Sequence, residues 1–164
     1  MRAITLYQPW AFLIALLLKR FETRSWAVKM GKDWDGTIAI HAGADRSNWN
    51  ALQHELRHYR SGKYTSGNGS LADIYWQYQT GMLPNGLRLN EPMPFSGVLC
   101  ICKIVDCIEM TPEFIAQQTR EERAVGGWEP GRFAWQLEMV EVFKQPIPAK
   151  GGQGIWHWKR EGVA

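Results

Sequence analysis

Lys19-Arg20-Phe21-Glu22-Thr23-Arg24 sets three ionisable side chains of complementary charge, Lys19, Glu22 and Arg24, within six residues. Phe21–Trp26 alternates as a β-strand does, so Glu22 and Arg24 share one side and Phe21 and Thr23 the other. A strand side bearing both charges, next to an apolar segment, is either a wet groove or a buried ion pair. In a groove, the planar fork of Arg24 can grip a phosphate or a base edge. Glu22 can accept from exocyclic amino groups or move protons. Lys19, partly desolvated, can act as base or nucleophile. A satisfied ion pair holding a helix to the strand would need none of this chemistry.

A second stretch, His54-Glu55-Leu56-Arg57-His58, matches H-E-x-x-H. On a helix, histidines four apart can grip one zinc ion, with the Glu as general base. Catalytic zinc needs a third protein ligand. The positions where one zincin class keeps its further His and its Gly hold Tyr64 and Ser61, and between residues 59 and 90 the only acid is Asp73. Arg57 would add a cation about one turn from the metal. The chain is therefore expected to hold no metal, with this stretch as the outer face of a helix.

The elements that must position these groups follow from periodicity. Ala3–Tyr7 reads as a strand and Pro9–Lys19 as a helix, apolar nearly all round and so buried. Gly36–Ala42 is a buried strand. Arg46–Tyr59 is a helix with Trp49, Leu52, Leu56 and Tyr59 inward, and Leu71–Tyr78 a second helical piece, after the polar loop Ser61–Ser70. Residues 81–94 are turn-rich. Phe95–Asp106 and Arg132–Phe143 are strands, Thr111 caps a helix over "PEFIAQQ", and a glycine loop feeds a last short strand. Strands at both ends around helices predict an α+β class: a small, closed sheet with a helical insertion at about 45–92 and one domain over 1–164.

Composition sets wider bounds. With 164 residues, 45% of them apolar, the chain can bury a real core. Net charge is only +3, but residues 1–63 hold ten Lys/Arg against five acids, a local balance of +5, while acids gather between Asp106 and Glu141. This permits a nucleic-acid face. Nine tryptophans exceed what a core alone asks for, leaving some for stacking bases. Cys100, Cys102 and Cys107 form no CxxC, and Cys100 and Cys102 share a strand face as core thiols. No signal peptide or membrane span is written in the chain, and a reducing cytoplasm fits.

Several residues join the candidate site. Gln8 and Trp10 stand at a helix start, where free amides could meet an anion and Trp10 a base. Trp26 could flank the cleft or plug the barrel. His41 ends a buried strand. Ala149–Gly154, "AKGGQG", permits close backbone approach to a ligand, with Lys150 and Gln153 as polar contacts.

The blocks "LYQPWAFLI", "KRFETRSW", "GTIAIHAG", "GVLCICKIVDC", "FAWQL" and "FKQPIPAKGGQGIW", in this order over residues 3–43 and 95–158, resemble the ASCH domain family, a branch of the PUA-like β-barrels. The resemblance implies a small PUA-like barrel with helices around a cleft lined by the motif K-x-x-E-x-R, here Lys19, Glu22 and Arg24. The family usually has Gly two residues before the Lys; here it is Leu17. The resemblance also implies binding of RNA or a modified nucleobase or nucleoside, without cofactor. Two alternatives stand beside that reading: a metal-independent hydrolase with Lys19, Glu22 and Arg24 as catalytic groups, similar to N4-acylcytidine amidohydrolases or to a ribonuclease, and a protein-interaction adaptor. The amidohydrolase branch has Thr where this chain has Glu22.

Overall fold

The computed structural model describes residues 1–65, 67, 69–79 and 92–160. In chain order the elements are β1 (Arg2–Leu6), α1 (Trp10–Ala15), β2 (Phe21–Arg24), β3 (Thr37–Ala42), α2 (Ser47–Arg60), α3 (Leu71–Gln79), β4 (Gly97–Glu109), α4 (Pro112–Ala116), α5 (Arg120–Ala124), β5 (Phe133–Pro148) and β6 (Ile155–His157). The class is α+β, as expected. The strands form one six-stranded sheet in the order β2-β5-β4-β3-β1-β6. β1 and β3 run parallel, with Thr5 opposite His41. The other neighbours are antiparallel.

The sheet curls into a half-barrel. Register shifts between Ile40 and His41 and at three places along β4 and β5 bend the longer strands. The closed sheet expected from sequence is not formed among the described residues, because the ladder ends at β2 and β6 without joining them.

Alternation along the strands builds the core. Ile4 and Leu6 of β1 face the same side as Ile38 and Ile40 of β3, packing with Ile14 of α1 and Trp135 of β5. Ala3 and Ala39 face the other way, against Trp158. Leu13 of α1 turns away from the sheet into a second cluster with Leu52, Leu56 and Tyr59 of α2 and Ile74, Tyr75 and Tyr78 of α3. A helix pressed between sheet and helix pair must be apolar all round, and α1 is. The turn-rich stretch expected over 81–94 lies mostly outside the described residues.

α1 is shorter than the apolar run suggests, stopping at Ala15 rather than Lys19. Leu17 adopts φ +62, the left-handed region. Leu17 N–H donates to Ile14 O and Leu18 N–H to Leu13 O, both at 2.9 Å. These are the two bonds of a Schellman turn, with leucine where glycine is usual. The turn sends the chain back toward the sheet, with Lys19 leading into β2. α4 follows Thr111, whose hydroxyl accepts from Phe114 N–H at 3.2 Å. α5 was not apparent from periodicity. No helix among the described residues is long and apolar enough to cross a membrane.

Candidate functional site

Lys19, Glu22 and Arg24 come together on the floor of one cavity of about 370 Å³. Lys19 is only 3% exposed. Its Nζ donates to the Phe21 carbonyl and lies 3.5 Å from Glu22 Oε2. The other carboxylate oxygen, Oε1, lies 2.9 Å from Arg24 Nε. That contact is an ion pair by distance alone: the Nε hydrogen is not aimed at the oxygen and has no hydrogen-bond partner. Glu22 thus sits between two cations, nearer to Arg24 Nε than to Lys19 Nζ. The three side chains carry a formal net charge of +1.

The ends of β1 and α1 make one wall, with Thr5, Tyr7 and Trp10. Tyr7 is exposed, so it and Trp10 offer ring surface at the cavity. The facing wall is the chain from Ala124 to Gly127, just after α5. That wall is fastened to β2 at two points. Glu122 of α5, 2% exposed, accepts from Arg20 N–H at 3.0 Å and Phe21 N–H at 3.1 Å. Gly127 N–H donates to Thr23 Oγ1 at 2.9 Å. Between them, Trp128 Nε1 donates to Glu122 O at 2.8 Å and its ring meets Phe21 edge-on. β2 is an edge strand, so Arg20 and Phe21 N–H would otherwise lack a protein acceptor.

Sequence reasoning missed this wall and Tyr7. Thr119-Arg120-Glu121-Glu122 has the S/T-x-x-E form that opens helices, and it could have marked α5. The Thr119 hydroxyl does accept from Glu122 N–H at 3.1 Å. The Glu122 carboxylate, however, turns to β2.

The other candidates fall elsewhere. Gln8 is fully buried. Its amide donates to Pro94 O at 2.5 Å and accepts from Phe12 N–H at 3.0 Å, so it fastens the start of α1 instead of lining the cavity. The expectation of free amides there fails for the same reason, since Ala11 N–H also goes to Tyr7 O. Trp26 packs edge-on against Trp135 and is absent from the cavity lining. His41 and Lys150 belong to a neighbouring cavity of about 690 Å³ that shares only Thr5 with the first. Gln153 is exposed on the glycine turn and lines neither.

His54 and His58 lie on α2 as its outer face requires, with ring centroids 5.5 Å apart. Leu52, Leu56 and Tyr59 point inward as expected. Among the described residues no group of three metal-ligating side chains forms. Nor do the cations near this helix join the cavity: Arg60 bonds to Gln79 and Arg46 lies over the Phe95 ring. Cys100 and Cys102 are core residues, and the adjoining Cys102 thiol together with burial pushes the Cys100 pKa far up. A thiol so held is no nucleophile.

No protein-family model matches the chain, and no curated protein does either.

Proposed function

We propose that this chain is an ASCH-type, PUA-like domain that binds single-stranded RNA, seating one nucleotide in the cavity over Lys19, Glu22 and Arg24. The observation that carries this reading is the state of the three charges. Lys19 is buried and committed to a carbonyl and a carboxylate, while Arg24, its side chain 29% exposed, lines the cavity. Such a site is built to receive an acceptor more than to attack an electrophile. The ring surfaces of Tyr7 and Trp10 add a stacking wall. A volume of about 370 Å³ is near the low end of ligand sites, roughly 300–1,000 Å³, and suits a single nucleotide unit. The order of sequence blocks and the half-barrel with flanking helices support the family assignment.

The test is affinity for a fluorescent single-stranded RNA at several salt concentrations. Arg24→Ala should weaken binding about tenfold or more, the scale of a charge-assisted hydrogen bond lost. Arg24→Lys should recover only part, because an ammonium lacks the fork. A flat dependence of affinity on salt, or an Arg24→Ala protein that binds as the parent does, would remove the reading. Mass analysis of the RNA and of an acylated cytidine after incubation covers the hydrolase alternative: turnover that disappears in Lys19→Ala would replace binding with catalysis.

A further inference from the structure

The cavity beside the first has a composition of its own. It lies at the carboxyl ends of the parallel pair β1 and β3, where Thr5 is paired with His41 and its side chain borders both cavities. His41 is 2% exposed. Its Nε2 is 3.0 Å from the Ala149 carbonyl, which can only accept, so Nε2 carries the hydrogen. Nδ1 is then a bare lone pair, and it has no hydrogen-bond partner. A buried acceptor left empty is costly and is found where a ligand or water completes it. Burial also holds the imidazole neutral, its pKa below the ordinary value.

Nδ1 lies against Gly151, where an added Cβ would come within 2.9 Å of it. The Gly151 turn is held to the sheet by Gly152 N–H donating to Thr5 Oγ1 at 3.2 Å. Lys150 is exposed at the same cavity and makes no ion pair with any described residue. No carboxylate lines the space. One neutral acceptor beside one free cation, next to a nucleotide-sized site, is what a following nucleotide needs: an N–H or O–H for the acceptor and a phosphate for the cation.

We infer that this cavity is a second nucleotide subsite, in which Lys150 takes the phosphate of the neighbouring residue and His41 Nδ1 accepts a hydrogen from its base or sugar as the Gly151 turn shifts aside. The inference rests on the proposed RNA-binding reading and sharpens it: the ligand is an oligonucleotide of at least two residues, not a free nucleoside.

The experiment uses 5′-phosphorylated oligoribonucleotides of randomised sequence, one, two, four and eight residues long, with the full-length protein. Affinity should rise about tenfold or more from one residue to two. Lys150→Ala should shrink that gain at least threefold and lower the salt slope of the longer ligands by about 0.7, the value for one single-strand phosphate contact. The 15N signal of His41 Nδ1 should move on adding the dinucleotide and stay in place with the mononucleotide. Equal affinity for one and two residues overturns the second subsite, as does a gain that Lys150→Ala leaves intact. An unmoved Nδ1 signal overturns the role of His41. These failures leave the first reading standing wherever the mononucleotide binds in an Arg24-dependent way. A protein that binds no length at all overturns both.

Discussion

Leu17 offers a test of the backbone that carries Lys19 into the cavity. A left-handed conformation costs a non-glycine residue about 1–2 kcal/mol. Glycine avoids that cost but loses about 0.4–1 kcal/mol through the greater freedom of its unfolded chain. Leu17→Gly should therefore be more stable than Leu17→Ala by about 1 kcal/mol. Alanine is the right reference because both changes remove the same packing. That packing is modest: Leu17 is 58% exposed, and a fully buried leucine is worth about 2 kcal/mol, so about 0.8 kcal/mol is at stake. The glycine variant should come out close to the parent, and the alanine variant about 0.8 kcal/mol below it. Urea unfolding followed by tryptophan fluorescence resolves this. At a slope of about 2 kcal/mol/M the two midpoints should differ by about 0.5 M. A helix running on to Lys19, as the apolar pattern suggests, would put residue 17 in its interior. There glycine is worse than alanine by about 1 kcal/mol. The two backbones thus predict opposite signs, and an alanine variant as stable as the glycine variant refutes the turn.

Glu122→Ala should destabilise the protein by about 2–3 kcal/mol, since it strips the acceptor from Arg20 and Phe21 N–H at a nearly buried site. Glu122→Gln, which keeps one acceptor oxygen, should lose about half as much. A loss below about 0.5 kcal/mol for the alanine variant in urea titration would mean the wall beside the cavity is not held by this carboxylate. His41 gives a pH dependence with a definite sign. Burial lowers its folded pKa beneath the ordinary histidine value of 6.5. The unfolded chain then binds the extra proton first, so this contribution is complete above about pH 6.5 and is lost as pH falls toward the folded pKa. Between pH 7.5 and 5 the parent should lose more stability than His41→Gln, and equal slopes for the two would contradict a buried neutral imidazole.

Much of the fold was legible in the chain. The buried strand over Gly36–Ala42 and the inward row Trp49, Leu52, Leu56 and Tyr59 each report burial that the surroundings enforce. That Glu22 and Arg24 share one side of β2 followed from strand geometry, with an ion pair as one of two outcomes. What stayed hidden depends on groups far apart in sequence. Gln8 looks like a ligand contact until Pro94, 86 residues on, takes its amide. Glu122 looks like one more acid in a solvated run until β2 presents it with two amides. The end of α1 was misjudged because Leu16, Leu17 and Leu18 continue an apolar pattern, and no local signal marks a leucine that will turn left-handed.

The charge triad also explains why Glu22 matters beyond holding a strand. Two cations lining one small cavity would repel each other. The carboxylate lies 3.5 Å from Lys19 Nζ and 2.9 Å from Arg24 Nε, so it offsets both charges. Lys19 then serves to fix Glu22 and the Phe21 carbonyl, an arrangement in which the ammonium is worth keeping charged and costly to strip of its partner. A threonine at position 22 would leave that ammonium with the Phe21 carbonyl alone. On the proposed reading, the residue at this position sets how firmly the lysine is tied down beside the arginine.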